Sequence, residues 1–115
     1  MSYRAIHRYA HISAHKAALV AALIRGRRVD DALTALEFSK KRAAWFFRYV
    51  LKSAIANAEE QDADVRRLYV SESRADMGPP LKRWRPKDRG RAHPYWRHTA
   101  HLYVTLEQKT LGERK

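Results

Sequence analysis

Residues 78–99 read GPPLKRWRPKDRGRAHPYWRHT, and the reading of this stretch decides how the rest of the chain is arranged. Between positions 82 and 97 it holds seven Lys or Arg against one acid, Asp88, with Trp84, Tyr95 and Trp96 set among them. Pro79, Pro80, Pro86 and Pro94 exclude a helix, because proline lacks the backbone N–H and clashes with the preceding turn. No run in the stretch has the apolar face of a core strand. A segment this basic repels itself and buries almost nothing apolar, so it is expected to order only with a partner. Guanidinium and ammonium groups mixed with aromatic rings match the phosphates and exposed base faces of nucleic acid.

Outward from this stretch, alternation returns on both sides. Leu68 and Val70, and later Leu102, Val104 and Leu106, recur at period two, the spacing of half-buried strands. Pairing Leu68 with Leu106 and Val70 with Val104 gives one antiparallel hairpin with an apolar base and its midpoint at Lys87. Residues 72–77 and 97–101 show no apolar face. At about 3.3 Å per residue, arms of this length carry the tip roughly 40 Å beyond the core. A free two-stranded ribbon is marginal in water. Its open edges are where Pro80 and Pro94 are tolerated. The tail, residues 109–115, is expected to fray.

The N-terminal part supplies the mount. Residues 3–12 alternate, with Arg4, Ile6, Arg8, Ala10 and Ile12 on one side and Tyr3, Ala5, His7, Tyr9 and His11 on the other, which predicts a strand. Ser13 is a good N-cap for a helix over 14–25, with Ala17, Val20, Leu23 and Ile24 on one stripe and Gly26 placed to close it. Asp30 and Asp31 favour the positive end of a second, short helix whose inward residues are Leu33, Leu36 and Phe38. Ser39 is expected to cap the third helix, over 40–60. Its core face is Ala43, Phe47, Val50, Leu51, Ala54, Ile55 and Ala58. Trp45, Phe46 and Tyr49 lie off that stripe, either as extra packing against the first two helices or as an aromatic patch facing a partner. The expected fold is α+β: a single domain over 1–115 with a short N-terminal strand, three helices of which the third is longest, and a long antiparallel β-hairpin extension. The hairpin spans 72–101, has its tip near 82–93, and pairs with the first strand.

Composition narrows the function. The 115 residues carry a net charge of +12 and a pI of about 10.5, and no acid precedes Asp30. Such an excess points to a polyanionic partner. No cysteine is present, so there is neither a disulfide framework nor a thiolate metal site. The longest strongly apolar run, residues 17–24, is far short of the roughly 20 residues that span a bilayer. With no signal-peptide pattern, the chain is read as soluble and unprocessed, without a membrane role. His7, His11 and His15 are spaced by four, but same-face strand residues four apart are about 13 Å apart, too far to chelate one ion, and no metal or other cofactor is expected. A histidine-based ribonuclease would use His93, His98 or His101 as acid or base. On a strand His98 and His101 point to opposite faces, and no carboxylate is placed to orient either.

The chain resembles the bacterial-type large-subunit ribosomal protein family twenty-two, and the resemblance covers about residues 4–107. Ser13, Lys16, Leu19, Val20 and the run Leu23, Ile24, Arg25, Gly26 match its first helix and cap. Val29, Ala32, Leu33 and Leu36 match the second. Lys41, Ala43, Ala44, Val50, Leu51 and the specific run SAIANAE at 53–59 match the long helix. Gly78, Pro79, Lys82, Arg83, Pro86, the run RGRA at 89–92, Arg97, Thr99 and His101 match its hairpin. The resemblance implies a structural constituent of the large ribosomal subunit, not an enzyme. It would bind 23S-type rRNA, support subunit assembly, and line the nascent-polypeptide exit tunnel with its hairpin near the macrolide-binding region. Implied partners are large-subunit rRNA, neighbouring ribosomal proteins and the nascent polypeptide, with no homo-oligomer. The implied place is the cytoplasmic ribosome, an organellar one remaining open. The implied rRNA contacts are Arg4, Arg8, His11, Lys16, Arg25, Arg27, Arg28, Lys41, Lys82, Arg83, Arg85, Lys87, Arg89, Arg91, Arg97 and His98. The tunnel tip would be Trp84, Arg85, Pro86, Lys87, Asp88, Arg89, Gly90, Arg91 and Ala92. Asp88 departs from the family's usual small residue, residues 45–47 are bulkier than usual, and His93, Pro94, Tyr95 and Trp96 replace a more aliphatic return arm. A non-ribosomal RNA- or DNA-binding protein fits the charge equally but these motifs less well.

Overall fold

In the computed structural model, which describes residues 2–86 and 90–108, the N-terminal alternation becomes strand β1 (Ser2–Ala10). It buries Tyr3 and Ala5 and exposes Arg4, Ile6 and Arg8. The single alternation expected over 3–12 does not hold to its end. Tyr9 takes a left-handed conformation (φ 59°), the pairing slips between His7 and Ala10, and both Ala10 and Ile12 turn into the core. A bulge inverts the parity of everything beyond it. The Tyr9 N–H then donates to His101 Nδ1 at 3.1 Å.

Helix α1 (Ala14–Ile24) starts as expected, with the Ser13 side chain accepting from the Lys16 N–H at 3.3 Å, and Gly26 follows it at φ 81°. Its buried stripe is Ala17, Val20, Ala21 and Ile24. Leu23, expected inward, is exposed, because the i, i+3, i+4, i+7 row passes through Ala21 instead. Helix α2 (Val29–Phe38) carries Asp30 and Asp31 in its first turn and buries Val29, Ala32 and Leu36, while Leu33 packs at the margin. Phe38, also expected inward, is 83% exposed: it is the last helical residue, and the chain leaves the core there.

Helix α3 (Arg42–Glu60) starts two residues later than expected, so Ser39 does not cap it. Ser39 instead ends α2 through its N–H to the Leu36 carbonyl, and its Oγ accepts from the Lys41 N–H. Ala43, Ala44, Phe47, Val50, Leu51, Ala54 and Ala58 are buried, with Ile55 at the margin. The aromatic trio splits. Phe46 packs inward, edge-on to His7 at 5.7 Å, whereas Trp45 and Tyr49 stay about half exposed with their rings 4.8 Å apart.

A short 3-10 turn leads into β2 (Leu68–Met77), and β5 (Ala100–Gln108) forms the centre of an antiparallel sheet ordered β1-β5-β2. One face, with Tyr3, Ala5, Leu68, Val70, Leu102, Val104 and Leu106, packs against the helices. The register differs from the expected one: Leu68 lies opposite Gln108 and Val70 opposite Leu106, with a shift between Val70 and Glu72. That bulge turns Ser73 fully inward and Ala75 partly so, giving residues 72–77 an inner face that simple alternation does not reveal. The link between α1 and α2 covers the outer edge of β2. The Gly26 N–H donates to the Val70 carbonyl at 2.9 Å and the Val70 N–H to the Arg27 carbonyl at 2.8 Å. Covering an edge in this way blocks pairing with another chain.

Beyond this sheet β3 (Leu81–Pro86) and β4 (Ala92–Arg97) form a separate two-stranded ribbon, paired from Leu81 opposite Arg97 to Pro86 opposite Ala92. A midpoint at Lys87 would have set Pro86 against Asp88. At the junction the Gly78 N–H donates to the Thr99 carbonyl at 3.0 Å, and buried Thr99 donates its hydroxyl to the Pro79 carbonyl at 2.7 Å. A Cβ on Gly78 would meet Thr99 Oγ1 at 2.6 Å, so the close approach of the two arms requires glycine. The molecule measures 69 × 25 × 17 Å. Among the described residues no helix is long and apolar enough to cross a membrane.

Candidate nucleic-acid interface

Strand alternation sorts the ribbon's side chains onto two faces. Lys82, Trp84 and Trp96 share one face, where the Lys82 ammonium lies 4.8 Å from the Trp84 ring centroid and 5.8 Å from that of Trp96. Arg83, Arg85, Tyr95 and Arg97 share the other, with the Arg85 guanidinium 4.9 Å from the Tyr95 centroid. No described residue of either strand is buried; Trp84 is 59% exposed. Lys82 and Arg85 thus rest against rings, an attraction of about 0.5–1 kcal/mol at exposed sites. The contact holds rings and charges in fixed relative positions while leaving N–H donors outward.

The other sequence-predicted residues fall into distinct settings. Arg4 and Arg8 are exposed on the outer face of β1. Arg25, Arg27 and Arg28 are exposed but partly engaged within the fold. Arg25 donates twice to the Ser73 carbonyl, at 3.3 and 2.7 Å. Arg27 Nε donates to the Leu23 carbonyl at 2.8 Å and Arg28 Nη2 to the Arg66 carbonyl at 3.1 Å. Arg25 thereby fastens the end of α1 to β2, Arg27 closes back on α1, and Arg28 ties the link to the 3-10 turn before β2; each guanidinium still has donors to spare. Lys41 is exposed at the start of α3. Lys82, Arg83 and Arg85 are exposed on β3, which ends at Pro86, and Arg91 is exposed between Gly90 (φ 74°) and Ala92. Lys87, Asp88 and Arg89 lie outside the described residues.

His11, Lys16, Arg97 and His98, far apart in sequence, meet in one open groove of about 380 Å³ at the ribbon's root, together with Ile12, Ser13, Arg42, Tyr95 and Trp96. Arg42 was missed by sequence reasoning. Its signal is its place one turn before Phe46, whose ring lies 5.5 Å from its guanidinium. Arg74 was also passed over, but it is balanced by Glu72 at 3.5 Å and Asp76 at 3.8 Å and rests on Tyr103 at 4.2 Å. Of the histidines considered for acid–base work, His101 is occupied by the Tyr9 N–H and ring, and only His98 reaches the groove.

These features define a class: a small α+β domain that carries a two-stranded cationic ribbon studded with exposed rings. Sequence comparison gives the particular family. Residues 5–107 match the family model described as Ribosomal protein L22p/L17e, and the chain belongs to that family. Relatives bearing the name Large ribosomal subunit protein uL22 agree. That of Syntrophobacter fumaroxidans is 44% identical over 95% of this chain and 100% of its own length. That of Aquifex pyrophilus is 46% identical over 96% of this chain and 84% of its own. That of a Sulfurihydrogenibium species is 48% identical over 92% and 91% respectively.

Proposed function

We propose that this chain is a structural, non-catalytic constituent of the large ribosomal subunit. It binds 23S-type rRNA, supports subunit assembly, and extends its ribbon to the wall of the exit tunnel. Its partners are large-subunit rRNA, neighbouring ribosomal proteins and, at the tip, the nascent polypeptide; it acts as a single copy. The observation that carries this reading is the ribbon: two exposed strands with no core, whose rings and cations alternate on both faces. Such a ribbon gains its stability from what surrounds it, and phosphate and bases satisfy both kinds of group. The globular part supplies most of the affinity through Arg4, Arg8, Lys16, Lys41 and the donors left over on Arg25, Arg27 and Arg28. His11 continues this contact at the ribbon's root, and Lys82, Arg83, Arg85, Lys87, Arg89, Arg91, Arg97 and His98 extend it along the hairpin. Residues 84–92 meet the tunnel.

Deleting residues 85–92 tests this division of labour. The shortened protein is expected to co-sediment with the large subunit and to resist moderate salt as the full chain does. Macrolide response and stalling by particular nascent chains should change. Loss of incorporation with normal macrolide response in the surviving subunits would make the tip an assembly anchor instead. A full-length chain that never co-sediments with the large subunit would remove the ribosomal reading itself.

A further inference from the structure

The groove at the ribbon's root gathers cations, histidines and an indole. Its walls come from three places: the end of the β1–α1 connection (His11, Ser13), the N-terminal turns of α1 and α3 (Lys16, Arg42), and the exit of β4 (Trp96, Arg97). Lys16, Arg42 and Arg97 put three cations around it, and no carboxylate lines it among the described residues. A second cavity of about 270 Å³ adjoins it through Ile12, Lys16 and Arg42 and adds Lys41. Neither α1 nor α3 has an acid in its first turn, so the positive ends of both helices add to the field rather than being neutralised. Trp96, at the rim, is 55% exposed. A volume of about 380 Å³ lies at the low end of the roughly 300–1,000 Å³ typical of small-ligand sites, enough for one nucleotide and too small for a stacked duplex end.

We infer that this groove is a single-nucleotide subsite. It takes one unstacked nucleotide of a single-stranded RNA segment, with the base against Trp96, its edge within reach of His11, Ser13 or His98, and the phosphate among Lys16, Arg42 and Arg97. The inference rests on the RNA-binding reading above and adds to it a specific place and a specific form of the RNA: an extruded residue rather than a helical backbone. An acidic peptide could satisfy the cations, but it would leave the indole without a planar partner. Because one wall belongs to the ribbon and two to the globular part, a nucleotide here also ties the ribbon's root to the domain.

The test uses the full chain and a short single-stranded RNA in two versions, one with an internal 2-aminopurine and one with an abasic site at that position. The intact strand is expected to bind more tightly than the abasic one, with quenched 2-aminopurine emission. Trp96→Ala should weaken the intact strand by at least roughly 5-fold, the low end of base–aromatic stacking. It should leave the abasic strand unchanged, and Trp96→Phe should restore most of the loss. Lys16→Gln should weaken both strands and lower the salt slope by about 0.7, the value for one phosphate contact on a single strand. Equal affinity for the two strands, or an equal loss for both with Trp96→Ala, would overturn the subsite. So would an acidic peptide of the same charge that binds as tightly and depends on Lys16. None of these outcomes touches co-sedimentation with the large subunit, so the subsite and the ribosomal reading fail separately.

Discussion

The sheet β1-β5-β2 and the ribbon β3-β4 are both antiparallel and nearly continuous in sequence, yet they are stabilised by different physics. In the sheet, β5 alone buries Ala100, Leu102, Val104 and Leu106, and the helices cover them. Burial of each of the Leu and Val side chains contributes about 1.5–3 kcal/mol. In the ribbon, backbone pairing and ring–cation contacts act without a core, and no described side chain is buried. The comparison shows that strand pairing and core formation are separable. The core lies in the sheet and helices, and the ribbon is a projection that adds paired strands without adding to that core.

The largest effect that probes this difference lies under the sheet. Leu51 is fully buried in the centre of α3. Leu51→Ala should cost roughly 2–5 kcal/mol, the usual range for such a core truncation. For a domain of this size the melting temperature should fall by roughly 10 °C or more. A melting curve that coincides with the parent's would take α3 out of the core and dissolve the contrast.

A middle-sized effect belongs to the junction between the two regions. In Gly78→Ala the new methyl would meet Thr99 Oγ1 at 2.6 Å, and Thr99 is itself buried and bonded to the Pro79 carbonyl. Forcing that contact should cost about 1–3 kcal/mol by denaturant unfolding. Adding Thr99→Ala should recover part of the loss, because the two changes touch the same atom and therefore do not add. Additive costs would mean that the arms are not locked to each other at this point.

The sheet, the helices and the ribbon were legible to different degrees. Period two around Val104 and the 3.6-residue period of α3 are strong signals, and they placed the right elements in the right order. What escaped were events that break a period. The left-handed Tyr9 inverts inside and outside beyond it in β1, and the slip after Val70 does the same in β2; the hairpin register itself is displaced from its base, where Leu68 lies opposite Gln108. Leu23 and Phe38 are apolar and near the right stripe, but the buried row of α1 runs through Ala21 and α2 ends at Phe38. At the site, the density of Lys and Arg pointed to the ribbon. It did not reveal that Arg25, Arg27 and Arg28 also bond to carbonyls of their own fold. Nor did it show that His11, Lys16, Arg42 and Arg97 converge on one groove, since that is a product of tertiary packing and has no local spacing.

The smallest effect is expected from a large residue. Trp84 has the greatest apolar surface on β3, and by composition alone its loss looks costly. In the structure it is 59% exposed and its ring packs against the Lys82 ammonium at 4.8 Å. Trp84→Ala uncovers no core residue and opens no cavity, so the global unfolding free energy should stay within about 0.5 kcal/mol of the parent. The change should appear only in the ribbon. Hydrogen exchange of free protein should already be faster at residues 81–86 and 92–97 than at 102–106, because the ribbon opens without unfolding the domain. Trp84→Ala should speed the first two segments further and leave the third untouched. If the amides of β5 also exchanged faster, or the melting temperature fell as it does for Leu51→Ala, the ribbon would be part of the cooperative core and the two regions would share one stability.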